Sequence, residues 1–226
     1  MMSEEIQAVP EVASRQRLRV TFTRDVTLKY IGHLDLSKAW QRILRRADWP
    51  LAYSEGFNPQ PKITLAAALP VGCTSDHEVM DVVVSPALDI DIAYAQLARA
   101  LPPGIKLRSI EPVTLNAPAL QTQLLSTEFE IIVEEAAVIA TLPDRVREFW
   151  AATEVLRERR GKSYNLRPLV QSLSIEVQPD RAVIRSSLQA TESGTGRPDE
   201  LIAALGADPA TAQIKRINLI FLDKTS

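Results

Sequence analysis

The chain has 226 residues, 46% of them hydrophobic, which suits one large domain or two small ones with an ordinary core. A net charge of −2 and a pI near 5.8 argue against a protein that coats nucleic acid indiscriminately, while leaving room for a local basic patch. One cysteine, Cys73, and two histidines, His33 and His77, exclude an internal disulfide and argue against a self-contained zinc or iron–sulfur site, and no apolar run approaches the ~20 residues that span a bilayer.

Residues 1–17 start acidic and lack a basic, apolar leader. They are expected to form a disordered lead-in, not a secretory signal, which fits a cytoplasmic protein. In residues 18–23, Leu18, Val20 and Phe22 alternate with Arg19, Thr21 and Thr23, the pattern of a half-buried strand. A helix follows, with Asp35 expected as its N-cap. Leu36, Ala39, Trp40, Ile43, Leu44 and Ala47 share one helical face, Lys38, Arg42, Arg45 and Arg46 lie on the other side, and Pro50 closes the region.

Gly56, Pro59 and Pro61 then exclude a helix and predict a rigid, extended loop with Phe57 as an anchor or an exposed ring. Residues 63–69 read as a strand, weakened by three alanines, and residues 77–85 as a valine-rich strand. A second helix opens in residues 86–91 and stops at Pro102, Pro103 and Gly104; residues 105–113 form a last strand. This β-α-β-β-α-β order is ferredoxin-like, with two helices on one face of an antiparallel sheet.

Residues 114–126 are expected to be a linker, after which the order repeats. Strands are expected at 127–133, 173–177, 182–188 and 213–222. A third helix is expected from Thr141, which with Asp144 resembles a capping box, with Val146, Phe149, Trp150, Thr153 and Leu156 buried. It would end in Arg157, Arg159 and Arg160 with Gly161 as C-terminal cap, and a short helix would start at Pro198. Asn58, Pro61 and Ile63 match Asn165, Pro168 and Val170 in spacing. The expected fold class is therefore α+β: two tandem ferredoxin-like halves with antiparallel sheets, residues 18–113 and 127–226.

The strings Gly32-His33-Leu34-Asp35, Arg45-Arg46-Ala47, Tyr53 to Pro59, Pro61-Lys62-Ile63 and Leu69-Pro70-Val71-Gly72 resemble a bacterial family, the radical-SAM-linked domain of unknown function. Leu166-Arg167-Pro168-Leu169 also fits. Gln60 departs from the family, in which a histidine is common between the two prolines. The resemblance implies a radical SAM protein as partner and carries over no catalytic residues. The iron–sulfur cluster and S-adenosylmethionine are expected on that partner, since Cys73 alone cannot hold the cluster.

Lys38, Arg42 and Arg45 follow i, i+4, i+7 spacing with Arg46 beside them. Together with Lys62, Arg167, Phe57 and Asn58 they are the expected ligand- or RNA-binding residues. Cations late in a helix also complement its dipole without any ligand. His33, near Asp35, is the weak catalytic candidate, either a base acting on a ribose hydroxyl or a helix cap. His77 and Glu78 read as a rim pair, and no metal site is expected. Three readings stand: a non-catalytic accessory protein presenting RNA, such as tRNA or rRNA, to a radical SAM enzyme; a metal-independent endoribonuclease using His33; and a protein–protein adaptor without nucleic acid.

Overall fold

Alternation along β1 (Gln16–Arg24) sends Leu18, Val20 and Phe22 into a fully buried layer and turns Arg17, Arg19 and Thr21 to the opposite face. The computed structural model describes residues 14–159 and 161–222. Residues 1–13 of the expected lead-in, and Arg160, lie outside the described residues, and β1 begins at Gln16, inside that lead-in. Among the described residues the chain has a mixed α+β fold, with a large, mostly antiparallel sheet of nine strands and five α-helices.

The first half comprises β1, α1 (His33–Arg46), β2 (Ile63–Leu65), β3 (Thr74–Val84), α2 (Ile90–Ala100) and β4 (Ile105–Val113). Its strands lie in the order β4-β1-β3-β2. The apolar stripe of α1 packs Leu36, Trp40, Ile43 and Leu44 on the sheet, and Trp40 meets Phe22 edge-on at 4.6 Å. The N-cap of α1 is Gly32, without a side-chain bond, so Asp35 is not the cap; it lies in the first turn, where a carboxylate suits the dipole. Strand β2 is shorter than residues 63–69 predicted. Ala66 still donates to Val79 at 2.9 Å, but alanines hold strand poorly and another strand takes the edge of β3 beyond that point.

The second half runs through β5 (Leu124–Val133), α3 (Ala136–Ile139), α4 (Leu142–Ala151), β6 (Leu156–Arg159), β7 (Lys162–Asn165), β8 (Val170–Val177), β9 (Ala182–Thr191), β10 (Gly194–Thr195), α5 (Pro198–Ala204) and β11 (Gln213–Phe221). Its strands lie in the order β11-β5-β9-β8, with β10 on the outer edge of β9 and β6-β7 as a separate hairpin. The third helix is thus a correction. It ends at Ala151, and Arg157 and Arg159 stand on a hairpin strand. Asn165 Oδ1 accepts the Val155 N–H at 3.0 Å and Val155 O accepts from Leu166 at 2.8 Å, so tertiary partners override the helix propensity of residues 156–159. Gly161, at φ 72°, sits between β6 and β7 and is no helix cap. Thr141 makes no capping bond; its hydroxyl donates back to Val138 O at 3.0 Å.

The two sets of strands join where β11 pairs in parallel with the start of β3, Lys215 opposite Thr74 and Arg216 opposite Ser75. Residues 114–123 connect the halves, ending in a 3-10 turn at Leu120–Gln123. Arg17 clamps this connection by donating to Ala117 O at 2.6 Å and Pro118 O at 3.0 Å.

Candidate nucleic-acid interface

Because the buried stripe fixes the rotation of α1, its polar side faces water. Lys38, Arg42 and Arg45 are exposed, and their side chains make no hydrogen bond or ion pair among the described residues. Other arginines are neutralised: Arg17 and Arg19 on Asp81, Arg157 on Glu200, Arg197 on Asp199, Arg216 on Glu78. Arg46 differs from its neighbours on α1. It donates to Ala100 O at the end of α2 and so fastens the two helix ends together, beside Arg99.

The loop after α1 is braced internally. Tyr53 bridges Pro61, Ser54 donates to Gln60 O at 2.8 Å, and Ser54 Oγ accepts from Gln60 N at 3.0 Å. Asn58 Oδ1 accepts the Gln60 amide at 3.2 Å, and Gly56 turns the chain at φ 122°. Phe57 at the tip is wholly exposed, so it is the exposed ring and not the anchor.

The structure does not bring Lys62 to the α1 face. Ile63 packs into the core beneath α1, so its neighbour Lys62 points from the other side of the sheet. There it lines a groove of about 570 Å³ with Arg15, Arg17, Ser54 and Gln60. Arg167 is also apart: its guanidinium stacks on Trp150 at 4.2 Å and Phe149 at 5.7 Å, within the second half.

A buried ionic cluster at the junction of β3 and β11 is the feature that sequence reasoning missed. Arg216 is 1% exposed and Glu78 2%, and Arg216 Nε and Nη2 lie 2.9 and 2.7 Å from Glu78 Oε1. Glu78 is therefore no rim residue. Arg24 donates to Leu28 O at 3.0 Å and Ile31 O at 3.1 Å, holding the turn before α1, and burial lowers its pKa. His33, the first residue of α1, is half-buried, and its imidazole makes no hydrogen bond among the described residues. Burial, against the pull of Glu78, lowers its pKa, and burial lowers that of His77 as well. Burial pushes the Cys73 thiol up to about 12. Cys73 in the folded protein is thus expected to resist iodoacetamide at pH 8 and to react only after denaturation, as mass spectrometry of the alkylated chain would show; ready native labelling would contradict its buried placement. Among the described residues, no three His, Cys, Asp or Glu side chains are grouped as metal ligands, and no helix is long and apolar enough to cross a membrane.

The model of a bacterial family described as an uncharacterized protein conserved in bacteria (DUF2344) matches residues 17–198. No curated protein matches the chain. Among solved structures, a Cbf5-Nop10-Gar1 complex is similar at 12% identity and a TM-score of 0.43, covering 88% of this chain and 48% of that one. The archaeal box H/ACA sRNP Nop10-Cbf5 complex is similar at 12% identity and a TM-score of 0.39, over 87% of this chain and 46% of that one. The chain thus spans about half the length of these two. An unknown protein from Galdieria sulphuraria is similar at 13% identity and a TM-score of 0.27, over 92% of this chain and 99% of that one.

Proposed function

The chain belongs to this uncharacterized bacterial family, and from its own surfaces we propose that it is a non-catalytic accessory protein that binds RNA along the outer face of α1. The observation that carries this reading is the unneutralised row of Lys38, Arg42 and Arg45 on a helix whose inner face is fixed. Seven residues of helix cover ~10 Å, long enough to run beside more than one backbone phosphate. Guanidinium forks suit phosphate oxygens in pairs, and the exposed Phe57 ring on its braced loop is a surface on which an unpaired base can stack. The architecture proposed for this role is a tandem pair of ferredoxin-like halves. It is supported by the matching strand orders β4-β1-β3-β2 and β11-β5-β9-β8. The partner proposed is a radical SAM protein that supplies the cluster and S-adenosylmethionine. Support for it comes from the sequence resemblance.

The test is fluorescence titration of labelled single-stranded RNA at several salt concentrations. Arg42→Glu with Arg45→Glu is expected to weaken binding on the order of 100-fold and to flatten the salt slope by about 1.4, two phosphate contacts at ~0.7 each. Unchanged affinity and slope would remove α1 as the interface.

A protein adaptor is the second reading, and a specific feature favours it. Val26, Tyr30, Leu34 and Val71 are all more than half exposed. They gather around the turn before α1, where Gly72 donates to Lys29 O at 2.7 Å. Such a patch suits a protein partner.

A further inference from the structure

A second polar groove lies in the other half of the molecule, between the β6-β7 hairpin and the turn from β9 into β10. Its volume is about 510 Å³. Arg159 and Lys162 reach it from the hairpin and Arg197 from the residue before α5, Tyr164 and Thr195 add hydroxyls, and Leu169 supplies an apolar wall. Among the described residues, no carboxylate lines it.

Among the described residues, three buried atoms at or beside the groove lack hydrogen-bond partners: the donors Tyr164 Oη and Arg197 Nε, and the acceptor Asp199 Oδ1. Arg197 donates through Nη2 to Asp199 Oδ2 at 2.8 Å, yet its Nε–H is buried and unsatisfied. Leaving a buried donor unmatched is costly, more so when it is charged. Arg159 and Lys162, on the hairpin that replaces the expected helix end, form no ion pair among the described residues. An acceptor-rich anion would satisfy both orphaned donors and neutralise the free cations.

We infer that this groove binds a terminal phosphate group, carried by a mononucleotide or by the end of an RNA strand. A phosphate monoester has three terminal oxygens and so can accept from several directions at once, as donors from the hairpin, β10 and the start of α5 require. A neutral sugar or base would leave the cations unmatched. The site is separate from the α1 face and does not depend on it.

Isothermal titration of the full chain with uridine 5′-monophosphate and with uridine tests the assignment. The monophosphate is expected to bind at least tenfold more tightly than uridine, and Lys162→Ala to remove that advantage. Tyr164→Phe deletes a hydroxyl that has no partner in the fold, so it should leave the melting temperature unchanged while weakening the monophosphate. A hexauridylate with and without a 5′-phosphate distinguishes the two sources of the group. A gain from the 5′-phosphate that Lys162→Ala abolishes points to an RNA end; a gain confined to the monophosphate points to a free nucleotide. If the phosphate improves binding of neither probe, or if Lys162→Ala leaves its gain intact, the assignment is overturned. The monophosphate arm uses no RNA strand, so its outcome is independent of whether α1 binds RNA.

Discussion

Glu78→Ala is expected to cost the folded protein about 3–5 kcal/mol, the penalty for leaving a buried charge without its partner. Arg216 is 1% exposed, and among the described residues its side chain pairs with that carboxylate and otherwise donates to Ala68 O at 3.4 Å. Arg24, also buried, lies in the field of Glu78 as well. A domain of this size has ~5–15 kcal/mol of total stability, so the loss is a large part of it. The position of the pair adds a second effect. The parallel pairing of β11 with β3 covers only Lys215–Thr74 and Arg216–Ser75, so the ion pair ties the halves beside the apolar cluster of Ala66, Val79, Leu124 and Leu219 and the Lys215–Asp76 pair. Urea unfolding of the variant should show a lower midpoint and a broadened transition as the halves uncouple. A shift below ~1 kcal/mol would mean that Arg216 finds water or another acceptor.

Asp81→Ala is the second large effect, about 3 kcal/mol, at the low end of the same range. Asp81 is 3% exposed and accepts from Arg17 at 2.6 and 3.0 Å and from Arg19 at 2.8 and 3.0 Å. Both arginines keep something after its loss. Arg17 still holds Ala117 O and Pro118 O, and Arg19 still lies over Phe221 at 5.7 Å, which is why the cost stays moderate. The predicted side effect is a looser connection at residues 114–123, seen as faster amide exchange at Ala117 and Ala119. Asp81→Asn, which keeps the shape and an acceptor, should lose less than the alanine variant. Equal losses would mean that charge, not shape, is what Asp81 provides.

Much of the fold was legible in the sequence because it depends on local periodicity. Leu18, Val20 and Phe22 gave β1, and the 3-4-7-8 spacing from Leu36 gave the inner face of α1, hence also its cationic outer face. The hairpin at residues 156–165 was illegible, because its arginine-rich string favours helix locally and only Asn165 and Leu166, ten residues on, capture Val155. The seam pair had a signal that was overlooked. Glu78 falls on the same alternation as Met80, Val82 and Val84, and Arg216 on that of Ile214, so each is a charge at a core position. Two such charges far apart in the chain call for each other. The position of Lys62 followed from the same rule, since Ile63 beside it is the residue that faces the core.

Crosslinking in the native cells tests whether the outer face of α1 meets RNA. The tagged chain would be crosslinked by ultraviolet light, purified under denaturing conditions, and its attached RNA quantified beside that of the Arg42→Glu, Arg45→Glu variant. RNA recovered with the parent chain and lost with the variant is the predicted result. Equal RNA from both chains, or a crosslinked protein partner with no RNA, would contradict it and make the basic face a protein-docking surface.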